Sequence, residues 1–411
     1  MTPLVSIVIP VYNGSGHVRE AIASALAQTC RDVEILVIND GSTDGGKTRE
    51  ACLFYGDRIR YFEKENAGVS SALNFGIERM RGEYFSWLSH DDAYFPDKLE
   101  RQVALLRDNP GADGIVIGDY DFLNAASGRK SRVRLNRIYP EQWLVNSVFT
   151  VLTTVVHGCT PLIHRAHFER TGLFDRALHG MQDHDMWFRL FRGRKLLYSP
   201  SPLATVRLHA LSGTNTMRGF TEELGRTYMH SALSLGLDEV RSMFPSASAF
   251  YYKIVGLLLS YGCVNEARRV GERAGAPAND SGSGTAAARL RRRLDELAGG
   301  EAKRIVIFGL GRHGRRLLFD LSTRRIPVAA FIDNDPAKWG RSFHGVPCLS
   351  PETMAERGDG VLTLAALRDP DGVMAQLADA ALPAASKQDL DALLLETPPS
   401  ASAAETGWIA S

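Results

Sequence analysis

Two adjacent carboxylates, Asp91 and Asp92, close the apolar stretch "YFSWLSHDDAYF" at residues 84–95, where an ordinary strand end needs only a turn residue. Hard divalent cations prefer carboxylate oxygens, so this pair could hold Mg2+ or Mn2+. Polar, turn-forming residues stand at three more predicted strand ends: Pro10-Val11-Tyr12-Asn13, Asn39-Asp40-Gly41-Ser42 and Asn66-Ala67-Gly68. Asp40 could accept hydrogen bonds from a base or a ribose. Taken singly, Asp40-Gly41-Ser42 is a plain turn and Asp91-Asp92 a helix N-cap with a first-turn acid. In order, and at one end of one sheet, they make a ligand crevice. "GMQDHDMWFRL" carries further acids. A helix starting near Asp183 pairs Asp185 with Arg189 four positions on and leaves Asp183 at the helix entrance, to point into the crevice or to cap. In "VRLHALSGT", Arg207 and His209 alternate onto one side of an extended segment, with His209 either a metal ligand or structural. Trp187, Phe188 and Phe191 read as helix core.

The elements that must position these residues alternate along the first 120 positions. Continuously apolar runs, "VSIVIPV" (5–11), "VEILVIND" (33–40), "EYFSWL" (83–88) and "GIVIGDYDFL" (114–123), are separated by helical patterns. Such strands form a parallel sheet covered on both faces, and ligands bind outside its carboxyl ends. Residues 130–215 are less regular, with helices expected near 140–149 and from about 183 to 193. A helical stretch at 218–272, a linker by composition at 275–287 and a basic helix follow. "RIVIFGLGRHG" (304–314) then opens a second βαβ pattern. Its Gly309, Gly311 and Gly314 follow a strand and open a helix, and "VAAFID" ends in Asp333. Glycines there admit a pyrophosphate and the acid would reach a ribose, so NAD or another nucleotide is a candidate ligand, ranked behind a docking or bracing role. One further clear strand, "GVLTLAAL" (360–367), makes this half of a dinucleotide-binding domain, and the tail after Glu396 reads as disordered.

Composition bounds the partners. Of 411 residues, 44% are hydrophobic and 23% charged, which is ordinary globular material, and a net charge of +1 gives no reason to expect nucleic acid. Five scattered cysteines without metal-type spacing read as reduced thiols. The amino-terminal apolar run lacks a basic flank and reads as a strand, not a signal peptide. "IVGLLLSYGC" is about half the length of a membrane span. The expected location is cytoplasmic, at most peripheral to the inner face of a membrane.

Seven segments in order resemble the motifs of family 2 glycosyltransferases with the GT-A fold: "VSIVIPVYN", "EILVINDGSTDG", "ENAGVSSALNFGI", "FSWLSHDDAYFPDKLE", "HGCTPLIHRAHFERTGLFDRAL", "MQDHDMWFRL" and "VRLHALSGTNT". The resemblance spans about residues 3–216. It implies that Tyr12 and Asp40 contact the nucleobase and ribose of a nucleotide sugar, with Pro10, Asn66, Gly68, Ser71, Asp92 and Arg207 completing the donor site. Asp91 matches the metal-binding carboxylate, with His209 near the metal and diphosphate. Asp183 matches the base that takes the acceptor hydroxyl proton. Ser89 stands where many members carry the first Asp of the metal motif, and Gln182 where a Glu usually precedes the base. His90 is expected to face solvent or acceptor, and "HGCT" (157–160) to shape the acceptor pocket. The fold expectation is α/β throughout: a GT-A domain at 1–217, a helical region and linker at 218–300, a small Rossmann-like domain at 301–396 and a tail at 397–411.

The functional expectation is an inverting, metal-dependent transfer from a nucleotide-diphosphate sugar, UDP-linked, to a hydroxyl of a glycan or lipid-linked acceptor in bacterial surface polysaccharide synthesis. Ser89 and Gln182 motivate a second reading, a nucleotide-sugar- or glycan-binding protein that has lost catalysis. The glycine fingerprint motivates a third, an NAD-linked oxidoreductase, for which no catalytic domain is visible.

Overall fold

The structure, a computed structural model, describes residues 3–138, 141–146, 148–152, 156–209, 217, 219–244 and 247–274. Beyond these it describes Leu294 and the stretches 304–311, 314–315, 317–318, 321, 326, 328–343, 346–355, 361–365 and 384–386. Contacts divide the chain into two units, Met1–Thr227 and Tyr228–Ser411. The division falls inside a helix, beyond the position 217 expected from sequence.

In the first unit, β1 (Val5–Val11), β2 (Val33–Asp40), β3 (Arg60–Lys64) and β4 (Tyr84–Trp87) run parallel in the order β4-β1-β2-β3. Burial on both faces explains why β1 is apolar without alternation. On one face, α1 (Val18–Leu26) packs Val18, Ala21, Ile22 and Ala25 into one cluster with Val5, Ile7 and Ile9. The linking helices are α2 (Lys47–Leu53) and α3 (Val69–Arg79), and α3 buries Ala72, Leu73 and Ile77. Each buried Val, Leu or Ile here stabilises the fold by about 1.5–3 kcal/mol relative to exposure.

After β4 come β5 (Ala93–Tyr94) and α4 (Lys98–Asp108), and then the 114–123 run departs from expectation. It is two strands, β6 (Ile115–Gly118) and β7 (Tyr120–Asn124), broken at Asp119. That side chain is buried, accepting the Leu135 N–H at 2.8 Å and the Tyr198 hydroxyl at 2.7 Å. Its carbonyl accepts from the Leu203 N–H, so the backbone steps from one sheet to another there. The expected helix at 140–149 is likewise two short ones. The remaining elements of the unit are β8 (Lys130–Val133), α5 (Glu141–Asn146), α6 (Phe149–Leu152), β9 (Leu162–His164), α7 (Ala166–Thr171), α8 (Gln182–Phe191), β10 (Leu197–Ser199) and β11 (Ala204–Leu208).

The main sheet has seven strands, β10-β6-β9-β4-β1-β2-β3, with β9 antiparallel to both neighbours. A second sheet, β5-β11-β7-β8, matters more for the site. Its β5–β11 pairing aligns Thr205 with Ala93, which brings Arg207 and His209 back to the acids that end β4.

The second unit begins within α9 (Phe220–Ser234) and continues with α10 (Leu237–Met243), α11 (Ala247–Ser260) and α12 (Val264–Ala274), the helical stretch expected at 218–272. No described helix is long and apolar enough to cross a membrane. A six-stranded sheet then follows from β12 (Arg304–Phe308), β13 (Ala330–Ile332), β14 (Ser342–Phe343), β15 (Val346–Leu349), β16 (Val361–Ala365) and β17 (Ala384–Ser386), with α13 at Pro351–Ala355. Its order is β14-β15-β13-β12-β16-β17, parallel except at β14–β15. The half-domain expectation is therefore too small: β14, β15 and β17 are two to four residues long, too short for a periodic signal. The linker at 275–287 and the tail at 397–411 lie outside the described residues, as does all of the basic helix except Leu294.

Candidate functional site

The loops after β1, β2 and β3 are tied into one another. Asn13, at φ +48°, donates its N–H to Ser42 Oγ at 2.9 Å and accepts the Thr43 N–H at 2.8 Å. Asn39 Oδ1 accepts from Ser42 Oγ at 2.6 Å, and its amide donates to the Tyr61 hydroxyl at 2.9 Å. Asp40 is only 3% exposed. It accepts the Gly68 N–H at 2.8 Å and the Ala67 N–H at 3.2 Å, and it pairs with Lys64. Asn66 donates to the Asp40 carbonyl at 2.8 Å. The structure thus brings Asp40, Asn66 and Gly68 together by making each hold another, with Ser71 buried in α3 behind them. Tyr12 stands out from this half with 44% of its surface exposed.

The other half gathers around the acids. His209 Nε2 lies 2.9 Å from Asp91 Oδ2, each side chain retaining about a fifth of its exposure. Burial alone would raise the Asp91 carboxyl. The His90 charge and the His209 hydrogen bond outweigh it and hold the group below its ordinary value. An ionised carboxylate and an imidazole nitrogen converging at one strand end suit a divalent cation. Arg207 braces the arrangement. Its N–H donates to Asp92 Oδ1 at 2.9 Å, its Nε to the Asp91 carbonyl at 3.1 Å, and its guanidinium to Glu20 at 2.5 Å.

Asp92 is 4% exposed. Burial, with Asp91 beside it, pushes its carboxyl up to about 7. Its second oxygen receives the Cys159 thiol at 3.2 Å, and the same sulfur lies 3.4 Å from Ser89 Oγ. Within "HGCT", Cys159 is wholly buried. Burial and the Asp92 charge hold the thiol well above its usual range, which also rules it out as a nucleophile at neutral pH. His90, expected to face solvent or acceptor, is partly buried: its ring hydrogen-bonds to the Pro10 backbone and packs over Gly14, where a Cβ would lie 2.4 Å from the ring.

Asp183 is in the first turn of α8, whose N-cap is Met181. Asp183 is thus not the N-cap residue, and Met181 makes no side-chain cap bond. Asp183 accepts the N–H of His184 at 2.8 Å, and no basic side chain among the described residues pairs with it. Burial pushes its carboxyl up to about 6. Four positions on, the Trp187 ring lies 6.5 Å from that of Trp87 in β4 and stacks on Phe191 at 5.9 Å. That aromatic core seats the helix against the strand that ends in the acids. Asp185 pairs with Arg189 at 2.6 Å, as the spacing requires, and Arg189 also donates to the Thr171 and Leu173 carbonyls.

In the second unit, Gly314 packs so closely that a Cβ would fall 1.8 Å from the Gly309 carbonyl oxygen, which accounts for the third glycine of the fingerprint. The Gly311 carbonyl accepts the Arg315 N–H at 3.0 Å. Asp333 accepts from the N–H groups of Leu310 at 2.8 Å and Asp335 at 3.0 Å, and both of its oxygens meet Lys338 at 3.0 Å. The ribose contact expected of it would have to displace partners inside the protein.

A family model described as glycosyl transferase family 2 matches residues 6–171. An uncharacterized glycosyltransferase of Rickettsia typhi is 42% identical over 266 residues, covering 63% of this chain and 83% of the relative. The chain belongs to glycosyltransferase family 2. A second relative, an uncharacterized glycosyltransferase of Rickettsia felis, is 44% identical over 231 residues. That match covers 56% of this chain but only 38% of the relative, so the chain spans under two fifths of the longer protein. Among solved structures, S. aureus TarS 1-349 in complex with UDP-GlcNAc has a TM-score of 0.51 at 15% identity, covering 66% of this chain and 83% of that one. This likeness is one of fold, and it agrees with the GT-A expectation.

Three residues of this family 2 glycosyltransferase escape a reading of its sequence. Glu223, buried at the start of α9, accepts the N–H groups of Gly180 and Met181 at 2.7 Å and of His179 at 3.1 Å, holding the turn that leads into Asp183. Cys159 bonds Asp92, and His17 sets its ring 5.7 Å from that of His209. The partners of Glu223 are backbone groups, which no residue type announces. A His at 17 has a signal only once β11 is known to return to β4.

Proposed function

We propose that this glycosyltransferase moves a sugar, with inversion, from a UDP-linked donor to a hydroxyl of a glycan or lipid-linked acceptor in bacterial surface polysaccharide synthesis, in the cytoplasm. The observation that carries the reading is the 2.9 Å contact between Asp91 and His209, residues far apart in sequence that meet outside the carboxyl end of β4. Asp91 and His209 would hold a divalent cation there, Mg2+ or Mn2+, which when bound neutralises charge on a departing diphosphate. UDP-GlcNAc bound to TarS supports uridine as the base. Tyr12, the exposed aromatic of the nucleotide half, offers its ring to that base. Asp40, Asn66 and Gly68 act by holding the loop under it.

Asp183 takes the acceptor proton. As the hydroxyl oxygen bonds to the anomeric carbon, the carbon–oxygen bond to the diphosphate breaks and its electron pair leaves with the nucleotide. A carboxyl near 6 is largely ionised at pH 7 to 8 and still basic enough to accept that proton. Arg207 keeps Asp92 and the Asp91 backbone in register while this happens.

The test is nucleotide release from a panel of nucleotide sugars, with and without Mn2+, for the native chain, Asp183→Asn and Asp91→Ala. Release from a UDP-sugar that needs Mn2+ and collapses in both variants is the expected result. Equal metal-dependent release in all three would remove the site assignment. Binding without release would select the reading that Ser89 and Gln182 motivate, a nucleotide-sugar-binding protein without turnover.

A further inference from the structure

Beside the cation position at Asp91 lies a second group of ligand atoms with a different chemistry. One carboxylate oxygen of Asp92, a ring nitrogen of His157 and the sulfur of Cys159 all lie within 4.8 Å of one another. They arrive from two separate segments. Asp92 follows β4, while His157 and Cys159 are presented by a tight turn in which the Thr160 N–H and hydroxyl both donate to the His157 carbonyl, at 3.0 and 2.9 Å. The His157 ring is set 5.4 Å from that of Tyr120, which limits its rotation.

We propose that Asp92, His157 and Cys159 form a binding site for a borderline-soft divalent cation of the Zn2+ type, distinct from the hard-cation position at Asp91 and His209. The argument is geometric and chemical. Tetrahedral zinc, with bonds of about 2.0–2.3 Å, places its ligand atoms roughly 3.5 Å apart. The Cys159 sulfur and Asp92 Oδ2 already stand 3.2 Å apart. Three protein ligands leave a fourth position for water, and His157 is the member of the cluster that keeps some exposure. Charge balances as well: a thiolate and a carboxylate offset two positive charges, and a neutral imidazole adds none. Sulfur and nitrogen disfavour Mg2+ relative to Zn2+, whereas a carboxylate pair would not. Binding would break the Cys159 S–H bond, form a metal–sulfur bond and release one proton to solvent. Without the ion the thiol keeps its proton and hydrogen-bonds to Asp92, the arrangement seen here.

Ser89 fits the same account. Its hydroxyl faces the Cys159 sulfur at 3.4 Å and its N–H donates to it at 3.3 Å. An aspartate at 89 would set another carboxylate against this buried sulfur and Asp92. The short neutral side chain leaves the cluster with the two negative charges that a divalent ion matches. The assignment does not depend on glycosyl transfer.

Cd2+, titrated into the full chain under excess Mg2+, is the probe, read by thiolate-to-metal absorption in the ultraviolet. We expect one equivalent of absorption in the native chain, retained in His209→Asn and abolished in Cys159→Ser. His157→Gln and Asp92→Asn keep the thiol and should weaken binding by at least about tenfold. These two variants keep the proposal testable should Cys159→Ser not fold. Absence of the absorption in the native chain overturns the site. So does its removal by Mg2+, its persistence in folded Cys159→Ser, or unchanged affinity in both His157→Gln and Asp92→Asn.

Discussion

Asp40 at the end of β2 and Asp333 just past β13 occupy corresponding places in two different sheets, and they are built alike. Each carboxylate pairs with one lysine, Lys64 or Lys338, and accepts backbone N–H groups from a glycine-containing loop. For Asp333, burial would raise the carboxyl, but Asp335, Lys338 and Leu310 outweigh it and hold it low. Asp183 and Asp92 are the opposite case. Neither pairs with a basic side chain among the described residues, and burial pushes them up to about 6 and about 7. A buried acid at the end of a strand or the entrance of a helix is therefore a brace where the fold supplies its counter-charge, and a candidate reagent where the fold withholds it.

The largest test of that contrast is Asp183→Asn. Loss of a general base predicts a fall in kcat of about 10²–10⁴, with the donor KM little changed. Activity of the native chain should rise with pH through about 6 and then level off. Stability should move the other way. An acid whose folded pKa lies above its ordinary 3.8 contributes stability that is present below that value and lost as pH rises through about 6. The asparagine variant should therefore match the native chain at pH 3.5 and exceed it above pH 6, by up to about 3 kcal/mol. Chemical denaturation at the two pH values checks this. A variant equally destabilised at both would make Asp183 a structural residue. Asp91→Ala comes next, with a loss of roughly 10²–10³ in Mn2+-dependent release, in the range of removing one preorganised charge-stabilising group. A loss that persists unchanged without added metal would detach Asp91 from the cation.

Glu223→Gln sharpens the comparison from a third side, because among the described residues this buried carboxylate pairs with no lysine and accepts from backbone N–H groups. Hydrogen bonds to a charged group contribute about 1.5–3 kcal/mol, so the variant should lose stability of that order. It should also lower kcat more than the donor KM, since the turn it holds leads into Asp183. An equal fall in stability with untouched kcat would make Glu223 a fold residue alone.

Much of the catalytic half was legible because its signals are local. Doubly buried strands show themselves as unbroken apolar runs, and the Asp185–Arg189 pair follows from helical spacing alone. Asp91 and His209 were each visible as chemistry, but their meeting depends on β11 pairing with β5, which no local pattern encodes. The step between β6 and β7 was hidden because the Gly118-Asp119 break is short and apolar residues flank it on both sides, so the run reads as one strand. Glu223 and Cys159 act on groups remote in sequence, a backbone turn and a carboxylate, so spacing carried no trace of them. In the second unit the glycine fingerprint was plain while β14, β15 and β17 were not, their few residues being shorter than any period can reveal.

Asp40→Asn should cost less activity than stability. It leaves the Ala67 and Gly68 N–H groups with a weaker acceptor and Lys64 without its partner, a destabilisation of about 1–3 kcal/mol by loss of a buried charged acceptor. The donor KM should rise as the loop loosens while kcat holds. A collapse of kcat would promote Asp40 from brace to reagent and break the parallel with Asp333.

The smallest effect is expected of Asp333→Asn, and it decides whether the parallel is genuine. The substitution keeps the side chain's shape but turns one acceptor oxygen into an amide, so either the Leu310 N–H or the Asp335 N–H loses its partner and Lys338 keeps only the longer 3.7 Å pair with Asp335. Hydrogen exchange at Leu310 and Asp335 should accelerate, because their protection rests on this carboxylate, while exchange in β1 and nucleotide release from a donor sugar stay at native levels. A brace behaves in that way: it loosens its own loop and nothing else. If thermal shifts instead show a nucleotide or NAD stabilising the native chain and failing to stabilise the variant, then Asp333 is a ligand-binding acid despite its lysine. Pairing within the fold would then no longer separate the two kinds of acid.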